Sequence, residues 1–299
     1  MLAIVIPYYK FIFFDKTLQS LENQTNKNFK VFIGDDNSPE SPLSLIEKYN
    51  GSIDLVYQKF DTNLGGISLV QQWKRCVDLV QDASWIMILG DDDCLSNTAV
   101  AEFYENINTI IENNIKVVRF SSQIINDKEE KLSDVFHHPL FETTNDFFYR
   151  KYKGITRSSL SEYVFEIEKL KNNFFHDFPL AWHSDDLAVL ECSNFKTIYS
   201  IKDAIVLVRI SNFSISGRTD LIAEKQNASK QYYQRLLYHY ANRLDKQNLQ
   251  LIFRKVEYFF YPNKSFSEYI QLTYLHLNYL GVWSVLKFNR RIFKNRNLS

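Results

Sequence analysis

The chain has 299 residues, 45% of them hydrophobic and 23% charged, enough for a sizeable core in one large domain or two small ones. Its 35 basic and 35 acidic residues cancel, so no global field favours nucleic acid, and none is expected as a partner. Three scattered cysteines (Cys76, Cys94, Cys192) without CxxC spacing fit reduced thiols better than a disulfide framework and argue against a zinc site, and no stretch nears the ~18–20 apolar residues of a membrane helix. The reading is of a soluble, intracellular chain.

The first half alternates strand and helix patterns. Ala3 to Ile6 is a short apolar run closed by Pro7, and it reads as a buried strand. Thr17, Leu18 and Leu21 fall at helical spacing, ending near Gln24. Strands are expected at Lys30 to Gly34 and Asp54 to Gln58. After the Gly65-Gly66 turn, Ile67, Val70, Trp73, Val77 and Val80 repeat as a helix. Trp85 to Leu89 is another strand, Thr98 to Asn113 a helix and Lys116 to Ser121 a strand. Strands separated by helices predict a mostly parallel α/β sheet. From about 122 to 180 the pattern is polar and aromatic, with His137, His138 and the run FFYRKYKG, and loops with short strands are expected. From about Asp220 the pattern turns helical.

In such sheets ligands lie outside the carboxyl ends of the strands. Asp35-Asp36 and Asp91-Asp92-Asp93 each stand just past such an end. Three adjacent carboxylates repel one another and need a cation or free solvation, and oxygen ligands suit Mg²⁺ or Mn²⁺. Such a metal would bridge a diphosphate, although a solvated acidic turn has the same composition. Asp36 suits a base imide or a ribose hydroxyl, while Asp35-Asp36-Asn37-Ser38-Pro39 equally reads as an Asx turn. Asn63-Leu64-Gly65-Gly66 offers backbone N–H groups to a ligand, or is a plain strand-to-helix turn. In Trp182-His183-Ser184-Asp185-Asp186-Leu187, an acid can take a proton from an attacking hydroxyl or cap the helix that follows.

IVIPYYK, LQSLENQT, VFIGDDNSPES, NLGGISLVQQW, WIMILGDDDCLS and WHSDDLAVL, in this order over roughly residues 1 to 215, resemble family 2 glycosyltransferases. The resemblance implies a GT-A-type, Rossmann-like sheet flanked by helices over 1–215, with a C-terminal helical segment over 216–299. It also implies inverting transfer of a sugar from a nucleotide-diphosphate donor, with UDP expected, to a glycan or lipid-linked acceptor in surface polysaccharide synthesis. Pro7 and Tyr8 would border the nucleotide, with Asp36 on its base. Asn63, Gly65 and Asp91 would complete the donor pocket. Asp92, with Asp93, would hold the metal. Asp186 would be the general base, with Asp185 in the position of the family's Glu and Trp182 and His183 toward the acceptor. Two departures stand out. Gly90 occupies the place of the motif's first Asp, and Ser211 that of a His that often meets the metal. The two rival classes are a nucleotidyltransferase, against which Tyr8 to Phe14 lacks a Gly-rich loop, and a non-catalytic sugar-binding protein.

At the C-terminus, Phe266 to Leu286 is aromatic and Lys287, Arg290, Arg291, Lys294 and Arg296 follow without an acid. This composition fits either peripheral contact with the inner face of a membrane or a packed helix with a solvated tail.

Overall fold

The computed structural model describes residues 1–212, 214–262 and 264–294, the side chain of Lys294 excepted; Arg296 lies outside the described residues. The chain divides into two compact units, Met1–Lys225 and Gln226–Ser299.

Unit 1 runs β1 (Leu2–Tyr8), α1 (Phe14–Glu22), β2 (Phe29–Asp35), α2 (Leu43–Tyr49), β3 (Leu55–Lys59), α3 (Leu69–Val77), β4 (Trp85–Ile88) and β5 (Cys94–Leu95). It continues with α4 (Ala99–Glu105), α5 (Ile107–Glu112), β6 (Val117–Ile125), β7 (Phe141–Thr143), α6 (Thr144–Tyr152), β8 (Tyr163–Glu166), α7 (Ile167–Asn172), α8 (Ser184–Cys192) and β9 (Thr197–Arg209). Then come α9 (Ile222–Tyr240), which crosses between the units, α10 (Lys246–Phe260), α11 (Phe266–Leu280) and α12 (Val282–Lys294).

Among the described residues one nine-stranded sheet has the order β3-β2-β1-β4-β8-β6-β9-β5, with β7 on β9. The pairs β3–β2, β2–β1, β1–β4 and β6–β9 are parallel. β8 runs antiparallel between β4 and β6, which brings its first residues to the edge where the parallel strands end. This is the mostly parallel α/β sheet flanked by helices that the alternating pattern predicts. β1 shows why its sequence is so apolar. Leu2, Ile4, Ile6 and Tyr8 pack into the core on one face, Ala3 and Val5 into the core on the other. A central strand covered on both sides has no position for a polar side chain.

Two local expectations change. The helix expected over Thr98 to Asn113 is two, broken at Asn106, whose side chain donates back to the Glu102 carbonyl. The FFYRKYKG run is mostly α6, started by the Thr143 hydroxyl accepting the Asp146 N–H at 3.1 Å. Its aromatic residues hide the helical period, because Phe147 and Phe148 are both buried.

At the end of β2, Gly34 marks a close approach. A Cβ there would lie 2.3 Å from the Cys76 sulfur of α3. Overpacking of this kind costs about 1–3 kcal/mol. Gly34→Ala is therefore expected to lower the midpoint of urea unfolding, and Cys76→Ala combined with it to restore part of the loss. An unchanged midpoint in the single variant would contradict the packing described.

Candidate active site

The carboxyl edge of the sheet is organised by the Asp91-Asp92-Asp93 triplet after β4. Asp91 Oδ2 accepts the backbone N–H groups of Tyr9 and Lys10 at 2.8 and 2.7 Å, pinning the loop after β1. Asp93 Oδ1 accepts the Arg209 N–H at 2.8 Å and its Oδ2 accepts the Ser161 hydroxyl, tying in the ends of β9 and the turn before β8. Arg209 also donates from Nε to the Asp92 carbonyl at 3.0 Å. One acidic triplet thus fastens the edges of four strands.

Asp92 differs from its neighbours. Among the described residues its carboxylate takes no hydrogen bond from another residue, and it is half-buried while Asp91 and Asp93 are buried. Burial raises the pKa of all three, and the charge of Asp92 raises those of Asp91 and Asp93 further. The charges of Lys10 and Arg209 act on Asp92 in the opposite sense.

The structure also explains Gly90. A Cβ there would come within 3.0 Å of both an Asp92 and an Asp93 carboxylate oxygen. A side chain at the position of the first acid would require these two carboxylates to give way by a few tenths of an ångström. Ser211 is buried and opens a tight turn in which its carbonyl accepts the Ser214 hydroxyl at 3.0 Å.

Around β2, Asp35 behaves as the Asx-turn reading expects, accepting the Ser38 N–H at 2.8 Å and the Tyr57 hydroxyl at 2.7 Å. Asp36 reaches the other way. Its Oδ1 accepts the Leu64 N–H at 2.7 Å and the Arg75 guanidinium, and its Oδ2 accepts the Gly65 N–H at 2.8 Å. The expectation that the 63–66 backbone N–H groups stand free for a ligand is therefore corrected. Asp36 uses those of Leu64 and Gly65, and the Asn63 side chain accepts that of Gly66 at 2.7 Å. Four lone pairs on a carboxylate less three donors leave one, on Oδ2. Tyr8 turns inward. Its ring lies in the core, 4.6 Å from that of Phe14, and its hydroxyl donates to the Glu40 carbonyl at 2.8 Å. Pro7 is half-buried one residue earlier.

The second acidic pair lies in the first turn of α8, not at its cap. The cap position is His183, with φ +71°, and Leu180 and Ala181 just before it are also left-handed. Three non-glycine residues in that region within four positions mark a strained segment, which surrounding structure must hold. Asp186 accepts the Lys151 ammonium of α6 and His183 Nδ1 at 2.7 Å. Burial opposes its charge, but Lys151 and His183 outweigh burial and hold its pKa well below the usual carboxylate range. Asp185 is half-buried, and burial plus the adjacent Asp186 charge push its pKa up to about 7. Trp182 lies 5.9 Å from the His183 ring, with the Lys225 ammonium 4.9 Å above its own.

The turn before β8 links the clusters. Ser161 binds Asp93, and the charge of Glu162 reaches Asp185. Sequence reasoning missed Ser161, Arg75 and Lys151. Only Lys151 had a signal, the basic FFYRKYKG run, and its partner is 35 residues away.

Known structures share this architecture. The chain is similar to the crystal structure of S. aureus TarS 1-349 in complex with UDP-GlcNAc, with a TM-score of 0.64 and 15% identity over 93% of this chain and 80% of that one. The same protein in complex with UDP matches with a TM-score of 0.56 and 14% identity over 98% and 88%. At these identities the likeness is one of fold, the GT-A type. No curated protein sequence matches the chain. The profile described as "Glycosyl transferase family 2" matches residues 3–164, more than half of the 299, and the chain belongs to that family of glycosyltransferases.

Proposed function

We propose that the chain moves a sugar, with inversion, from a nucleotide-diphosphate donor to a hydroxyl of a glycan or lipid-linked acceptor, in surface polysaccharide synthesis at the cytoplasmic face of a membrane. The observation that carries this reading is the acidic triplet, in which Asp91 and Asp93 are spent on the fold and Asp92 is left uncommitted at the strand edge. The TarS structures named for UDP and UDP-GlcNAc support UDP as the nucleotide. Asp36, rigidly held with one lone pair to spare, suits the single imide N–H of uracil.

Among the described residues no group of three or more acids, histidines or cysteines is placed to hold a metal. One carboxylate together with substrate phosphates is nonetheless an ordinary way to bind Mg²⁺ or Mn²⁺, and Asp92 fits that role. When bound, the cation would neutralise the departing diphosphate. Lys10 and Arg209, whose charges reach Asp92, add to the positive potential there.

Asp186 is the proton acceptor in this scheme. The acceptor oxygen bonds to the anomeric carbon from one face, its proton passes to Asp186, and the bond to the diphosphate breaks on the other face. The electron pair leaves with the phosphate. A single displacement of this kind inverts the configuration.

A thermal-shift screen tests the donor and the cation together. A UDP-sugar with Mn²⁺ is expected to raise the melting temperature, by about 2.7 kcal/mol of linkage at 100 times Kd. Mn²⁺ alone is expected to leave it unchanged, because Asp92 alone makes a weak site. Absence of a shift with every nucleotide sugar, with or without Mn²⁺, would sink the proposal.

A further inference from the structure

Unit 2 leaves two apolar stripes uncovered. On α11, Phe266, Ile270, Tyr274 and Leu277 are exposed, Phe266 by 78%. Steps of four, four and three put them on one helix face. After Gly281 (φ +80°), α12 exposes Val282, Trp283 and Leu286, with Trp283 also at 78%. At 3.6 residues per turn, Val282 and Leu286 fall within about 40° of one another, with Trp283 about 60° beyond Leu286.

Other side chains of α12 pack within unit 2. Phe288 is buried and stacks on Tyr269 and His276, and Asn289 accepts the Tyr269 hydroxyl at 2.7 Å. Arg291 donates to both oxygens of buried Glu257, at 2.7 and 2.6 Å. The exposed stripe is therefore not the surplus of a loosely packed helix.

The charge around the stripe decides what covers it. α12 carries Lys287, Arg290 and Lys294 besides the paired Arg291, and no acid, and Lys287 and Arg290 are exposed beside Trp283 and Leu286. A two-fold contact with a second copy would set this basic rim against itself. Anionic headgroups match it, while the apolar side chains enter the acyl boundary. Among the described residues no helix is long and apolar enough to cross a membrane, so the surface would lie in the interface.

We propose that the exposed apolar and basic face of α12 docks unit 2 onto an anionic lipid bilayer. This deepens the membrane setting proposed above, yet it stands on unit 2 alone and on no feature of the acidic site.

The test is co-sedimentation of the full chain with vesicles of phosphatidylcholine alone or with about a third phosphatidylglycerol, at low and high salt. Binding is expected to the anionic vesicles and to weaken with salt. Leu286→Ser with Trp283→Ser, and separately Lys287→Glu with Arg290→Glu, are expected each to weaken it by roughly tenfold or more. Unchanged thermal unfolding and donor hydrolysis would show these variants folded. Wild type that stays in the supernatant overturns the proposal. So does self-association in sedimentation equilibrium that the same substitutions abolish, which would assign the face to a second copy. Vesicle binding without donor turnover would count against the transferase reading and leave the docking surface standing.

Discussion

Asp186→Asn is expected to lower kcat by roughly 10²–10⁴-fold at every pH, the range for loss of a general base, if the proposed role of Asp186 holds. Asp185→Asn lowers it less and changes the shape of the pH profile. The distinction comes from the environments of the two acids. Asp186 is held ionised by Lys151 and His183, so its carboxylate is unprotonated throughout the neutral range, and the same two partners lower its basicity. Asp185, raised to about 7, titrates in that range. When ionised, its charge beside Asp186 makes Asp186 the stronger base; when protonated, that help is gone. Wild-type kcat/KM is therefore expected to fall as pH drops through about 7, and Asp185→Asn to flatten that limb. Lys151→Met frees Asp186 of its ammonium partner and raises its pKa, so it should move the profile as well. If Asp185→Asn is inactive while Asp186→Asn keeps substantial turnover, the base is Asp185. Initial rates against pH for the wild type and the three variants decide it.

The sheet was legible because its strands are buried on both faces and its helices on one. Ala3 to Ile6, Lys30 to Gly34 and Trp85 to Leu89 contain runs of apolar residues that water would not tolerate, and each lies in an observed strand or ends a residue past it. The placing of acids past strand ends followed from the same pattern. What the sequence hides is the direction in which a side chain is spent. Asp36 and Asp91 read as ligand-facing acids, yet Asp36 and one oxygen of Asp91 also accept backbone N–H groups of loops 28 and 82 residues away. Those donors leave no residue-type signature. Lys151 was hidden for another reason. A lysine in an aromatic run is unremarkable until α6 turns it onto α8. The strained backbone at Leu180, Ala181 and His183 is likewise a product of tertiary packing, since nothing in Leu-Ala-Trp-His favours a left-handed conformation.

Asp92→Ala separates activity from stability more sharply than substitution of either neighbour. Among the described residues the Asp92 carboxylate holds no other residue in place, so its removal is expected to leave the melting temperature unchanged or slightly higher, as repulsion with Asp91 and Asp93 is relieved. Activity should fall by roughly 10²–10³-fold, the effect of losing one stabilising group for developing charge. Asp93→Ala should do the reverse in the first instance. It leaves the buried Arg209 N–H and Ser161 hydroxyl without their acceptor, at about 1–3 kcal/mol each, and lowers stability before chemistry is considered. Gly90→Asp should not improve on the wild type, because its side chain meets Asp92 and Asp93 oxygens already 3.0 Å from its Cβ. Thermal unfolding and donor hydrolysis measured side by side test all three variants. An Asp92→Ala enzyme that turns over normally with the cation present would remove the one uncommitted carboxylate from the mechanism, and with it the argument that the triplet divides its work between fold and chemistry.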